Sequence, residues 1–148
     1  MAQTTSAKNA LDCQVKLANA SAVLKDISGS AASIEPTLAH ELGMARTGDS
    51  KWPLRLDGGK DATFTLNVVY STGGDEGLAL LRDWWFADPP GSRSIEIYVP
   101  DENAGSDLYY GKVRIGNLSF PLDYSDPNPI AVTAELAVDG PWLHTTTT

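Results

Sequence analysis

At 148 residues the chain is long enough to bury the core of one domain, and 42% hydrophobic with 20% charged content is the balance of a folded chain, not a disordered one. A formal net charge of −8 excludes a protein that grips nucleic-acid phosphates through a surplus of Lys and Arg. Cys13 is the sole cysteine, which excludes an intrachain disulfide and a cysteine zinc cluster.

Residues 1–12 are small and polar with no period, and predict a flexible arm. The stretch 1–20 has no apolar h-region, and no apolar run approaches membrane-spanning length, so the chain is expected to stay in the cytosol when made. Without a secretory signal, the glycosylation patterns at Asn19 and Asn117 read as chance. Cys13, Val15 and Leu17 alternate with Gln14, Lys16 and Ala18 and predict a first short strand. Two more, Ala22 to Ile27 and Ser30 to Thr37, flank a Ser28-Gly29-Ser30 turn. From 36 to 61 the chain is punctuated by Gly43, Gly48, Pro53, Gly58 and Gly59, and is expected to be a long irregular loop. Loops of that length are commonly functional, and Leu42, Met44, Trp52, Leu54 and Leu56 favour one ordered by contact.

Phe64, Leu66, Val68 and Tyr70 alternate with polar neighbours and form the clearest half-buried strand. Thr72-Gly73-Gly74-Asp75 supplies a turn and a cap, and Leu78, Leu81, Arg82 and Trp85 recur at helical spacing, so 75–86 reads as one amphipathic helix stopped by Pro89-Pro90-Gly91. Ile95, Ile97 and Val99 make a further strand. After a polar loop, a strand from Leu108 carries Val113 and Ile115, then Leu118, Phe120 and Leu122. The face flips at Gly116-Asn117, which predicts a β-bulge. The last strand carries Ile130, Val132, Ala134, Leu136 and Val138, and 144–148 is expected to be a fraying tail. The whole is a mainly β chain: an antiparallel sandwich or barrel of about seven strands with one flanking helix, its domain spanning 13–143.

No catalytic or metal constellation survives scrutiny. Gly48-Asp49-Ser50 has the form of a serine-hydrolase nucleophile block, but Asp139 and His144 are too far apart to be that class's paired Asp and His. Asp101-Glu102-Asn103-Ala104-Gly105-Ser106-Asp107 begins like a calcium loop, yet its sixth place is Ser106, not Gly, and its twelfth is Lys112. His40-Glu41 has no second His at helical spacing. No cofactor is expected, and no enzyme. Of the Trp84-Trp85 pair one ring is expected in the core and one at an interface, and Trp52 and Trp142, each in irregular chain beside Pro or Gly, are interface candidates with Trp84.

Taken together, several segments resemble the major tail tube protein of long, flexible-tailed bacteriophages. They are Leu24 to Ser30, Thr47 to Trp52 with Leu56 to Asp61, the strand Ala62 to Val69, the helix with Leu81 and Phe86, Ile95 to Tyr98, and the closing Ala137 to Trp142. The similarity covers about 13–143 and rests on order and spacing, no single motif being specific. It stops at the tube domain, without the C-terminal immunoglobulin-like domain that some members carry.

The resemblance implies a structural virion protein, assembled in the host cytoplasm, whose hexameric rings stack into the conduit for DNA delivery. The fold is shared with contractile-tail and type VI secretion tubes. Implied partners are further copies of the chain, with tape measure and tail terminator or tip proteins, and DNA passes without tight binding. In that frame the 36–61 loop, through Leu42, Met44, Trp52 and Leu54, is the expected inter-ring contact. The polar strand faces with Lys112, Arg114, Asn117, Ser119, Thr133, Glu135 and Ala137 are the expected lumen wall, with the basic residues pairing Glu96 or Glu135, or else one of these strands facing outward. The alternative is a monomeric β-sandwich that binds a glycan or peptide through Trp84, Trp85, Tyr109 and Tyr110.

Overall fold

In chain order the elements are β1 (Gln14–Ala18), β2 (Leu24–Asp26), β3 (Ala31–Ala45), β4 (Leu54–Val69), α1 (Gly77–Phe86), β5 (Ser92–Val99), β6 (Asp107–Ser119), β7 (Ala131–Val138) and β8 (Leu143–Thr146). They come from a computed structural model that describes residues 8, 11, 13–29, 31–49, 51–72 and 77–148. The expected arm at 1–12, apart from residues 8 and 11, the cap at Asp75, and Ser30 and Ser50 lie outside the described residues.

The strands form one sheet in the order β2-β1-β5-β6-β7-β4-β3, with β8 added on β6, and every pair is antiparallel. Period-two alternation puts Val15 and Leu17 of β1, Phe64, Leu66 and Val68 of β4, Ile95 and Ile97 of β5, Val113 of β6, and Val132, Ala134 and Leu136 of β7 into one core. The predicted bulge is present, as a register shift between Ile115 and Asn117, and it returns Leu118 to the core side opposite Ala134.

Helix α1 covers that core with Leu78, Leu81 and Trp84, all buried. The apolar stripe is therefore one residue out from the expected one, since Arg82 and Trp85 point to solvent. Trp84 is fully enclosed, donates its indole N–H to the Gly91 carbonyl at 3.0 Å, and lies 5.4 Å from the Arg93 guanidinium.

Three expectations are corrected. The 36–61 segment is not an irregular loop: it is the distal part of a β3–β4 hairpin, paired from Pro36↔Phe64 to Ala45↔Leu54. The reason is a second register shift, between His40 and Leu42, where β4 carries the extra residue at Gly58-Gly59. A Cβ at Gly58 would sit 2.9 Å from the Glu41 Cβ, so the strands close here only around a glycine. The 144–148 tail is not frayed, because β8 pairs Leu143 to Thr146 with Tyr110 to Asp107, and His144 Nε2 lies 2.9 Å from Asp107 Oδ1. Finally, Phe120 and Leu122 lie beyond the end of β6 and are exposed rather than core.

Candidate functional site

Three surfaces are built on this fold. The first is the hairpin. β4 pairs with β7 only from Thr63 to Val69, so residues 54–61 and their partners on β3 run past the sheet as a two-stranded projection. Nearly all of it is exposed. Leu38, Leu42, Met44, Trp52, Leu54 and Leu56 are between 52% and 83% exposed, a density of bare apolar side chains that the rest of the strands do not show. Met44 lies opposite Arg55 and Ala45 opposite Leu54, so the apolar residues are shared between both faces of the ribbon. Of the four expected contact residues, Leu42 and Met44 lie on one face of the ribbon and Leu54 on the other, with Trp52 in the connection between the strands.

The second surface is the sheet face turned away from the core. Arg114 lies opposite Ala137, Asn117 opposite Glu135, and Ser119 opposite Thr133, while Thr133 and Glu135 lie opposite Asn67 and Thr65. With Lys112, the expected lumen candidates therefore share one face, all exposed except the half-buried Thr133. The Thr133 hydroxyl donates to Asn67 Oδ1 at 2.8 Å, and the Asn67 amide donates to Ser33 Oγ at 2.9 Å, tying β7, β4 and β3 together across it. The expected pairing of its cations is corrected: Arg114 donates to Asp139 Oδ2 at 3.0 Å, not to Glu96 or Glu135, because Asp139 lies just past the end of β7 beside it. Lys16 pairs Glu102 at 2.8 Å, and the Glu102 hydrogen bond holds its ammonium pKa above the ordinary lysine value. Glu96 instead accepts the Tyr98 hydroxyl at 2.6 Å, which raises the phenol pKa.

The third is the aromatic set, where two expectations fail. Trp84 is core. Trp142 packs its ring 4.7 Å from Phe64 and sits against Gly111, where a Cβ would come within 2.8 Å of the indole. Neither is a free interface ring. Trp85 and Phe86, stacked edge to face at 5.2 Å, are the exposed pair that the sequence reading undervalued.

The acidic segment after β5 is a self-satisfied turn. Asp101 Oδ1 accepts from the Ser106 hydroxyl at 2.8 Å and the Asn103 amide at 3.0 Å, and these bonds hold its pKa below the ordinary aspartate value. Among the described residues no group of three or more His, Cys, Asp or Glu could hold a metal, and no helix is long and apolar enough to cross a membrane.

No protein-family model matches the sequence, and no curated protein matches it significantly. Solved structures do. A chain in the tail of an empty gene transfer agent particle, refined with C6 symmetry, superposes with a TM-score of 0.73 at 16% identity over 94% of this chain and 99% of that one. A chain of the SPP1 tail tube gives 0.71 at 12% identity, over 91% of this chain and 77% of that one. This chain has a tail-tube fold. The same fold extends to a chain of the PVC sheath-tube complex of an extracellular contractile injection system, at a TM-score of 0.72 and 13% identity over 97% and 94% of the two chains. At these identities the shared property is the fold.

Proposed function

We propose that the chain is the structural subunit of a tail tube in a virion. Copies associate into hexameric rings, the rings stack through the β3–β4 hairpin, and the polar sheet face lines the lumen through which DNA is delivered. One observation carries the reading: a tail-tube fold whose hairpin projects beyond its own core with Leu42, Met44, Leu54 and Leu56 more than half exposed. A projection with that composition has no role within one subunit.

The edges of the sheet support lateral closure. Among the described strands β3 is bonded to β4 on one side only, with thirteen of its fifteen residues in register, and β2 at the opposite edge is three residues long. A long bare edge is a liability in a monomer and a joint in a ring, where head-to-tail pairing closes the edges. On the proposed lumen face Arg114 is neutralised by Asp139, so the net charge of −8 is not overridden by a basic stripe there. Such a wall lets a polyanion slide past without capture. Tape measure and tail terminator or tip proteins are the further partners of this reading, and assembly in the host cytoplasm belongs to it.

The binding-module alternative loses its motive, since Trp84 is enclosed and Tyr109 and Tyr110 are half-buried between β5 and β8. Electron microscopy of the purified protein tests the proposal. Rings or stacked tubes of sixfold symmetry are expected, and a protein that stays monomeric at high concentration would sink it.

A further inference from the structure

An apolar groove and the projecting half of the hairpin stand at opposite ends of the β3–β4 ladder. The groove, of about 640 Å³, has Ile34, Pro36 and Leu38 of β3 on one wall and Val15, Ile97 and Val99 of β1 and β5 on another. β3 is one edge of the sheet and β1 lies next to the other edge, so the sheet curls until these strands face each other across the gap. The β3 wall pairs with Ala62 to Leu66, near the Val69 end of β4. The rungs Gly43↔Leu56 and Ala45↔Leu54 lie toward the other end, Gly43 being about 30 Å of strand beyond Ile34. One extended strand cannot bring its two ends together, so no chain seats its hairpin in its own groove.

Charge selects which face of the hairpin fits. Among the described residues lining the groove none is charged, in a chain of which 20% is charged. The two faces of the hairpin differ. On one, Leu42 lies opposite Asp57 and Met44 opposite Arg55, so apolar and charged side chains are mixed. On the other, Leu54 and Leu56 stand 61% and 52% exposed opposite Ala45 and Gly43, two leucine ridges beside small neighbours. Along β3 this uncharged patch is bounded by Glu41 and Arg46. Sinking the Arg55 and Asp57 face into an uncharged groove strips water from two ions with nothing there to replace it, whereas the leucine face carries no charge in with it.

We infer that the Leu54 and Leu56 face of one copy's hairpin seats in the groove of the next copy, against Ile34, Pro36 and Leu38, and that the Leu42 and Met44 face, with Arg55 and Asp57, turns away from the groove. This names the receiving site for the stacking proposed above and rests on that reading. Hairpin and groove are different surfaces at opposite ends of one ladder, so the contact is heterologous and every copy presents both halves of the joint. It repeats from copy to copy instead of closing on itself.

A cysteine pair tests the seat. Ala32 lines the groove and Ala45 lies on the leucine face, about 40 Å apart along one strand, so a disulfide between cysteines at these places joins two copies. In a Cys13→Ser background, assembled protein with Ala32→Cys and Ala45→Cys is oxidised and run without reductant. A ladder of crosslinked multimers that collapses on reduction is expected. Neither single substitution gives more than a dimer, and Ala32→Cys with Met44→Cys, on the other face, gives no ladder. Ala32→Cys alone reacts with maleimide in dilute, unassembled protein and is protected in tubes. Leu54→Asp, and Ala32→Glu on the groove side, each lower the pelleted fraction at least about tenfold by placing a carboxylate in an uncharged contact. Both sites are exposed in the subunit, so the Tm stays near that of wild type. Tubes that give no ladder with Ala45→Cys, a ladder with Met44→Cys only, or pelleting unchanged by either carboxylate overturn this inference and leave the tube reading standing. Ala32→Cys already protected in dilute protein also overturns it, since the groove is then filled by the chain itself. A wild-type protein that is monomeric throughout removes both.

Discussion

Removing the projecting half of the hairpin should separate folding from assembly. The register offers a clean cut: His40 lies opposite Lys60, so replacing 41–59 with Asn-Gly gives a short hairpin closed by a favoured two-residue turn. The excised Leu42, Met44, Trp52, Leu54 and Leu56 are 58%, 56%, 83%, 61% and 52% exposed, so the core loses almost no burial. Stability should change by no more than about 1 kcal/mol, a Tm shift within about 4 °C for a domain of this size. Association is different. Burying the exposed half of each of the four aliphatic side chains is worth roughly 1 kcal/mol apiece, and Trp52 adds about 2, giving some 5–8 kcal/mol per hairpin before ordering costs. Losing the lower figure weakens stacking by at least about a thousandfold at about 1.4 kcal/mol per tenfold. Thermal unfolding reads the first quantity, and sedimentation velocity with negative-stain microscopy reads the second. Tubes of normal length from the shortened chain would refute the contact. A chain that no longer folds would refute the claim that the projection is independent of the core.

Trp84→Ala should cost about 3–5 kcal/mol and unfold or strongly destabilise the isolated subunit, because it empties an enclosed site and orphans the Gly91 carbonyl; a urea midpoint close to wild type would count against its being core. Gly111→Ala should cost about 1–3 kcal/mol by pushing the Trp142 ring and the Pro141 carbonyl off β6, seen as altered indole fluorescence and faster amide exchange in β8, and unchanged exchange there would contradict the packing. The Asp101 carboxyl titrates below the ordinary aspartate value, so whatever stability it lends is present above that range and is lost as pH falls through the depressed value; Ser106→Ala should move its NMR titration upward, and an unmoved curve would remove Ser106 as the cause. Tubes should co-sediment with duplex DNA only weakly at about 0.15 M salt, where charges are screened over about 8 Å, and tight, salt-sensitive binding would exclude the neutral-to-acidic lumen.

The strands with clean alternation were legible because one face is core and the other is solvent, as at Phe64 to Val68 and Val132 to Leu136. The hairpin was legible too, but went unread. Ile34, Pro36, Leu38, Leu42 and Met44 alternate along β3, and Gly43 reads as punctuation though an edge strand tolerates it. On β4 the extra residue at Gly58-Gly59 breaks the period, so Leu54 and Leu56 fall out of phase with the half beyond. β8 carries no core signal: its four side chains are exposed, and backbone pairing to β6 with the His144–Asp107 contact holds it as a strand. The helix stripe was misread between adjacent tryptophans because either ring satisfies the helical period from Leu81, and only the Gly91 carbonyl selects Trp84. The lumen candidates share one face, since shared parity across paired strands follows from alternation. Which cation met which acid was not legible, because Asp139 acts from beyond the strand end.

One piece of backbone, β4, spans the molecule from the hairpin to the loop at its far end, bonded to β3 along most of its length and to β7 from Thr63 onward. In an antiparallel ladder the hydrogen bonds lie across the strand direction. A pull along β4 therefore loads those bonds side by side in shear, and none can part before its neighbours have taken up the strain. Peeling the ribbon sideways from its tip would open them one after another. The subunit is thus stiff against tension along its long axis and weak against bending at the hairpin root, where the sheet narrows to two strands.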